Sequence, residues 1–205
     1  MNSERKAHWE TVFATKGRQE VSWFQEYPHT AVQYVQALQL PKDAAIMDCG
    51  GGDSGFIEAL LKVGYTNLTV LDISAHALEQ LKTRLGDSVA QVTCIVSDVL
   101  DFQPTTQYDF WYDRACFHFL TESSQVQTYK KLLVSAIKPT GDLLLATFSE
   151  QGPLKCSGLP IQQYTEAELT ALLEPDFELH YSLTEDHPTP FQTTQNFRYC
   201  GFKHI

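Results

Sequence analysis

The residues with the clearest chemical potential lie at positions 46–55, where an apolar run leads into Asp48 and three consecutive glycines at 50–52. Glycine adopts positive φ readily and lets a ligand approach the backbone closely. Apolar positions after Gly55 have helical spacing, and a helix beginning there would present unpaired N–H groups to the ligand. This stretch therefore predicts a strand, a tight turn and a helix that together bind a nucleotide-type ligand.

Two further acids follow at the ends of predicted strands. The glycine spacing together with Asp72 also describes a dinucleotide site, in which the acid holds a ribose diol. Asp98 would accept a hydrogen bond from an adenine amino group. Asp48 stands two residues before Gly50, where it would repel a pyrophosphate but tolerate an ammonium or sulfonium charge. The acids favour a cationic adenosyl ligand without phosphate, and an NAD(P)-dependent oxidoreductase or a non-catalytic adenosyl-ligand-binding protein stays open as an alternative.

The segments that would position these acids alternate between strand-like and helix-like patterns from residue 44 onward. The strand-like segments are residues 45–49, 68–73, 92–97, 108–113 and 142–148, and the helix-like segments are residues 54–63, 75–85, 123–137 and 166–173. Short runs rich in Val, Ile and Leu between helices predict an α/β fold with a parallel sheet covered on both faces. Strand-like residues 177–184 and 195–203 have no helix between them, so the last strand should run antiparallel.

An N-terminal region precedes the first strand. It combines two helix-like segments, residues 7–15 and 30–40, with an aromatic segment at residues 21–28. The aromatic segment has two interpretations: a lid packed on the core, or a flap in which Trp23 covers a bound ligand.

Composition limits the classes of function. The 205 residues suit one domain, which we place over residues 1–205 with an N-terminal helical and aromatic flap (1–43) and a core (44–205). A net charge of −10 without clusters of Lys and Arg argues against nucleic acid as a partner. Five widely spaced cysteines without a CxxC pair favour a reducing compartment over a disulfide framework or a zinc site. No apolar window is long enough to span a bilayer, so we expect a soluble, cytoplasmic protein with no membrane partner and no bound metal.

On Asp48, the glycine turn, Asp72, Asp98 and the terminal hairpin, the chain resembles the class I S-adenosylmethionine-dependent methyltransferases. The resemblance implies a Rossmann-like seven-stranded sheet in the order 3-2-1-4-5-7-6, with strand 7 antiparallel, and S-adenosyl-L-methionine as cofactor. Asp48 and the glycines would line its methionine part, Asp72 would bind its ribose hydroxyls, and Asp98 would frame its adenine. The candidate cofactor-binding residues, which include Trp23 of the flap and Asp113 after the fourth strand, are Trp23, Asp48, Gly50, Gly51, Gly52, Asp72, Ile73, Asp98, Val99 and Asp113.

Within that class, residues 21–25 and 112–115 resemble a narrower group. It contains the thiopurine- and tellurite-type small-molecule methyltransferases and the methyltransferase-like proteins that modify protein lysines. The chain departs from many class members at Ser54, where they carry a third glycine, and Gly55 follows directly. The leading hypothesis is methyl transfer to a small molecule, and a protein lysine is the alternative acceptor.

The acceptor should bind outside the carboxyl ends of the parallel strands. Segments 113–118, 150–164 and 187–195 follow such ends and should converge on one rim. Methyl transfer from a sulfonium mainly requires alignment, so few fixed side chains are expected there. The candidate substrate contacts are Arg114, Cys156, Tyr164 and Phe191.

Three residues on this rim are candidates for catalysis: Asp113, His118 and His187. Asp113 would orient the cofactor ammonium or take a substrate proton, or it would simply pair with Arg114. The two histidines would handle a proton. Their alternative interpretations are a partly buried, hydrogen-bonded histidine for His118 and a turn residue for His187.

Overall fold

The computed structural model describes residues 3–205. The helices are α1 (Ser3–Thr15), α2 (His29–Ala37), α3 (Phe56–Lys62), α4 (Ala75–Leu85), α5 (Ser123–Ala136) and α6 (Glu166–Leu173). The strands are β1 (Ala45–Cys49), β2 (Asn67–Asp72), β3 (Val92–Val96), β4 (Tyr108–Arg114), β5 (Ile137–Phe148), β6 (Lys155–Cys156), β7 (Leu159–Pro160), β8 (Phe177–Pro188) and β9 (Thr194–His204). Every predicted strand and helix is present, with ends that differ by a few residues.

The central sheet has seven strands in the order β3-β2-β1-β4-β5-β9-β8. β9 pairs antiparallel with both β5 and β8, whereas the contacts among β1 to β5 are parallel. With β8 as the sixth long strand and β9 as the seventh, this is the predicted order, and the predicted reversal of the last strand is confirmed.

Side chains that alternate along the strands divide the core between the two faces of the sheet. Ile46 of β1 and Val70 of β2 face α2, α3 and α4, and both are completely buried. Met47 and Leu71, one residue further along, face α5 and α6. All five residues of β1 are buried, which explains why its side chains other than Asp48 are apolar. Helices on both faces were predicted and are confirmed.

One feature was missed in the segment at 150–164, which shows no periodicity in the sequence. The two-residue strands β6 and β7 form a small antiparallel hairpin there. Ser157 and Gly158 make its turn with φ of 50° and 79°. Strands of two residues are too short to produce an alternating pattern, so this hairpin leaves no periodic signal.

Two further sequence expectations concern cysteines and membranes. All five cysteines are free thiols. In the part of the chain that the structure describes, none of the helices has the length and apolar character needed to cross a bilayer.

Candidate active site

Two adjoining pockets lie outside the carboxyl ends of β1 to β4. The first, of about 740 Å³, is lined by Asp72 and Asp98 and is called here the acidic pocket. The second, of about 590 Å³, is lined by Asp48 and residues 50–55 and is called the glycine pocket. Both are also lined by Phe13, Trp23, Gly50 and Arg114.

The acidic pocket contains the predicted ribose and adenine residues. Ile73 and Val99 line it beside the two acids. Asp72 Oδ1 accepts a hydrogen bond of 2.8 Å from the Ser74 N–H, and Asp98 Oδ1 accepts one of 3.0 Å from the Leu100 N–H. Burial raises the pKa of Asp72 to about 7. Each acid is therefore held in place by the backbone of its own turn while its side chain borders the pocket.

The glycine turn brings the backbone close to the ends of β1 and β2. The N–H groups of Gly50 and Gly51 both point to the Leu71 carbonyl, at 2.7 and 3.3 Å. A Cβ on Gly51 would lie 2.5 Å from Asp48 Oδ2 and 2.8 Å from a methyl group of Val70. Gly50 and Gly52 have positive φ, 67° and 51°. No larger residue fits at position 51 without moving Asp48 or β2.

Ser54 has a definite structural role where related sequences were expected to carry glycine. Its hydroxyl donates a 3.0 Å hydrogen bond to Asp48 Oδ2 and accepts one of 3.3 Å from the Phe56 N–H. The same side chain thus orients the buried acid and satisfies a free donor in the first turn of α3. Burial raises the pKa of Asp48 to about 7, against the opposing effect of the Ser54 hydrogen bond.

Residues 3–28, called here the N-terminal cover, close both pockets from above. Glu10 of α1 accepts hydrogen bonds from the N–H groups of Ala75 and His76, at 2.9 and 3.1 Å, and from Ser74 Oγ at 2.8 Å. Trp9 packs edge to face on Trp23 with ring centroids 5.7 Å apart. Trp23 packs on the core, as the lid interpretation expects, and it also lines both pockets. That Trp23 covers a bound ligand stays a prediction.

Arg114 occupies the boundary between the two pockets. Its Nη1 donates to the Trp23 carbonyl at 3.1 Å, its Nε donates to Tyr199 Oη at 3.1 Å, and its guanidinium stacks 4.1 Å from the centre of the Phe197 ring. Its Nη2 is shielded from solvent and has no hydrogen-bond partner. Among residues 3–205, no carboxylate forms an ion pair with this guanidinium.

Asp113 does not pair with Arg114, so that interpretation was wrong. Its Oδ1 accepts from the N–H groups of Cys116 and Phe117, at 3.0 and 3.1 Å, and its Oδ2 accepts from Tyr129 Oη at 2.6 Å. Asp113 is completely buried and lines neither pocket. Burial raises its pKa to about 6. The carboxylate holds the turn after β4, and a role in orienting the cofactor or taking a proton stays a prediction.

The two histidines also lie outside both pockets. His118 is completely buried between the rings of Phe119 and Phe148, at 4.6 and 4.8 Å. Neither of its ring nitrogens has a partner, which corrects the expectation of a hydrogen-bonded histidine, and burial lowers its pKa to about 3. His187 Nε2 lies 2.9 Å from the Ser22 carbonyl, and burial lowers its pKa to about 4. Both imidazoles are neutral at pH 7.

The four candidate substrate contacts divide into two pairs. Arg114 and Cys156 line the acidic pocket. Tyr164 instead stacks on Phe117, with ring centroids 5.1 Å apart, and Phe191 is 57% exposed beyond the end of β8. The structure therefore brings the first pair to the site and leaves the second pair outside the lining of both pockets.

Several lining residues were missed by the sequence analysis. Arg5, Trp9 and Phe13 of α1 enter the acidic pocket, and Arg18 enters the glycine pocket. Trp9 and Phe13 are four residues apart and therefore share one face of a helix. This spacing indicates an aromatic face that packs against another part of the protein or lines a pocket.

Comparison with known proteins supports the same conclusion as the geometry. The family described as a methyltransferase domain matches residues 46–141. EEF1A lysine methyltransferase 2 of Danio rerio is 26% identical over 189 residues, which cover 87% of this chain and 70% of that protein. The chain is an S-adenosylmethionine-dependent methyltransferase. The expected cofactor is thereby confirmed, and the oxidoreductase and non-catalytic alternatives are set aside.

Solved structures share the fold of this methyltransferase. One of them comes from work on the conversion of a disulfide bond into a thioacetal group during echinomycin biosynthesis. It has a TM-score of 0.79 at 16% identity, and the match covers 98% of this chain and 93% of that one. The Burkholderia thailandensis 1,6-didemethyltoxoflavin-N1-methyltransferase has a TM-score of 0.74 at 20% identity, and the match covers 100% of this chain and 91% of that one. The similar proteins thus include enzymes named for a protein lysine and for a small molecule, and the thiopurine- and tellurite-type subgroup stays a prediction.

Proposed function

We propose that the methyltransferase acts on a small acceptor that carries an anionic group near the reacting atom, and that Arg114 binds this group. The observation that carries the proposal is the free Nη2 of Arg114 at the junction of the two pockets. A shielded guanidinium nitrogen without a partner is costly, and a carboxylate or similar anion is its best partner.

The walls around Arg114 suit a compact acceptor. Trp23, Phe119 and Cys156 line the acidic pocket with it. Cys156 is held there by the β6–β7 hairpin and is buried, and burial raises the pKa of its thiol to about 12. An uncharged thiol and aromatic rings bind apolar surface, while the Arg114 guanidinium beside them orients the acceptor.

The cofactor supplies an already activated methyl group, so the protein mainly aligns the acceptor with it and excludes water. Two arginines border the glycine pocket, Arg18 and Arg114. We assign Arg18 to the cofactor, because it shares that pocket with Asp48 and the glycine turn. Arg114 is assigned to the acceptor, because it alone of the two also lines the acidic pocket beside Cys156.

A protein lysine is the second candidate acceptor, favoured by the lysine methyltransferase relative and by an acidic surface groove. Glu26, Glu185 and Asp186 line that groove, which lies between the N-terminal cover and the end of β8. A basic protein surface would be attracted there. However, an incoming lysine ammonium would have to approach the guanidinium of Arg114, and this repulsion favours the anionic acceptor.

The test is an acceptor panel built from matched pairs, with S-adenosylhomocysteine formation as the readout. Each thiol or amine is supplied once with a neighbouring carboxylate and once with the corresponding neutral amide, and lysine-rich proteins form a separate arm. We expect turnover of carboxylate-bearing members only. Equal turnover of both members of a pair, or transfer confined to protein lysines, would refute the proposal.

Variants separate the acceptor role from the cofactor role. In Arg114→Gln, kcat/KM for the anionic acceptor should fall by roughly a hundredfold, since a charge-assisted contact is lost. Affinity for S-adenosylhomocysteine should fall much less in this variant than in Arg18→Gln. Arg198→Gln is the matched control, because Arg198 pairs with Glu150 at 3.3 Å and lines neither pocket.

A further inference from the structure

Two thiols and a carboxylate meet directly beneath the glycine turn. Cys49 ends β1, Asp113 lies beside it on β4, and Cys116 follows in the turn after β4. The two Sγ atoms and a carboxylate oxygen of Asp113 all lie within 4.8 Å of one another. No step of methyl transfer requires two adjacent thiols at this place.

The carboxylate is already engaged, so the free ligand atoms of this cluster are the two sulfurs. Both oxygens of Asp113 accept hydrogen bonds, from the Cys116 and Phe117 N–H groups and from Tyr129 Oη. These bonds fix the turn that carries Cys116 toward Cys49. A zinc ion needs four ligands in a tetrahedron, and two sulfurs at the bottom of a pocket do not supply them.

We propose that Cys49 and Cys116 form a binding site for one soft monovalent or divalent cation that accepts two-coordinate thiolate ligation, with Cu⁺ as the representative ion. Thiolates select such soft ions over the hard cations that prefer oxygen. Binding forms two metal–sulfur bonds and releases the two thiol protons to solvent, with no change of oxidation state.

The ion has a route to the site. Cys116 is partly exposed and lines the acidic pocket, whereas Cys49 is buried behind it. An ion that enters the acidic pocket therefore reaches Cys116 first and is then shared with Cys49. A bound cofactor would occupy this route.

The site is mechanically coupled to the cofactor. A Cβ placed on Gly50 would lie 2.5 Å from Cys116 Cβ and 3.1 Å from its Sγ, so the Cys116 side chain packs directly against the Gly50 backbone. A metal bound to both sulfurs fixes the Cys116 side chain against the Gly50 backbone and adds an ion at the wall of the acidic pocket, which Cys116 lines. The ion and the cofactor should therefore bind with negative coupling, by the same factor in both directions.

The test uses Cu⁺ without oxygen, in competition with a chromogenic copper chelator, on the fully reduced protein. We expect one tightly bound ion per chain. Cys49→Ser and Cys116→Ser should each lower the affinity by roughly a hundredfold or more, because a single thiolate loses the advantage of the second. Cys94→Ser and Cys200→Ser, on β3 and β9, are the matched controls and should bind the ion as the wild type does.

The coupling is measured separately by calorimetry with S-adenosylhomocysteine. Affinity should fall roughly tenfold in the copper-loaded protein, and saturating S-adenosylhomocysteine should weaken copper binding equally. Binding that survives in Cys116→Ser, or a wild type that binds no ion against the chelator, would overturn the proposal. Cys116 is not in the buried core, so its variant keeps the test informative if Cys49→Ser fails to fold, which circular dichroism reports.

Discussion

The cofactor half and the acceptor half of this site are built in different ways. In the cofactor half, Asp72 and Asp98 are each held by an N–H group two residues away, and Asp48 is held by Ser54. In the acceptor half, Arg114 is held by Trp23 and Tyr199, which are 91 and 85 residues distant in the chain. The acids of the cofactor half are held mainly by their own turns, with Arg5 of α1 adding an ion pair of 3.6 Å to Asp98, whereas Arg114 is held by segments distant in the chain.

This difference separates what binds the donor from what selects the acceptor. A half held mainly by its own turns keeps its geometry when the sequence of distant loops changes, so the same cofactor site can serve different acceptors. A half assembled from distant segments changes whenever one of those segments changes. We therefore expect variants in the cofactor half to affect every acceptor alike, and variants in the other half to affect some acceptors more than others.

The largest effect is expected from Gly51→Ala, because the backbone of the cofactor half leaves no room for a side chain at this position. The new Cβ would meet Asp48 Oδ2 at 2.5 Å, so the turn must move away from the cofactor. Affinity for S-adenosylhomocysteine should fall by about 3 kcal/mol, the upper end of the usual cost of overpacking. Calorimetry measures this. Gly86→Ala is the control: its φ is 53° but no atom lies within 4 Å of the added Cβ, so cofactor affinity should be retained.

A second prediction concerns the ribose acid. Asp72→Ala should weaken S-adenosylhomocysteine binding by about 2 kcal/mol, because it removes a charge-assisted acceptor. KM for the cofactor should rise equally for every acceptor tested. Asp87→Ala, at an exposed acid in the Gly86–Gln91 turn, is the control. An acceptor-dependent effect of Asp72→Ala would contradict the separation of the two halves.

A third prediction follows from the raised pKa of Asp48. Its carboxyl is protonated below about pH 7 and carries a charge above it. Affinity for the cationic cofactor should therefore rise between pH 6 and pH 8, by at most about tenfold per pH unit. Asp48→Asn should reduce this dependence, and the remainder belongs to Asp72, whose pKa is also raised to about 7. Because the folded state binds this proton more tightly than the unfolded state, whose carboxyl has a pKa of about 4, the free energy of unfolding without cofactor should fall as pH rises from about 4 to about 7, as urea titrations measure.

The smallest effect is expected where the cover meets the cofactor half. Glu10→Gln keeps the shape but removes the charge that accepts from the start of α4, and should cost about 1 kcal/mol of cofactor affinity. Stopped-flow measurements should show faster cofactor release with little change in association. Glu79→Gln, at an exposed acid of α4, should leave the release rate unchanged. If both variants behave alike, the cover does not retain the cofactor.

The same difference explains what could be read from the sequence. Asp72, Asp98 and the glycine turn were identifiable because each follows its own strand at a recurring spacing, and the structure places them together. The free nitrogen of Arg114 was not identifiable from the sequence, because its surroundings depend on Phe197 and Tyr199, which lie more than 80 residues further along the chain. The suggested pair of Asp113 with Arg114 failed because consecutive residues of a strand point to opposite faces. The β6–β7 hairpin was too short to show a period.

During synthesis the N-terminal cover is made before the residues that it contacts in the folded protein. Glu10 contacts residues 74–76, and the Trp23 carbonyl accepts a hydrogen bond from Arg114. The Ser22 carbonyl lies 2.9 Å from His187 Nε2, and the Ser22 hydroxyl accepts a hydrogen bond of 3.1 Å from Gln195. Contacts so distant in sequence form late in folding, because the chain must first close long loops. The cover should therefore dock onto a nearly finished sheet, and its backbone amides should exchange with solvent by local opening well before those of β1.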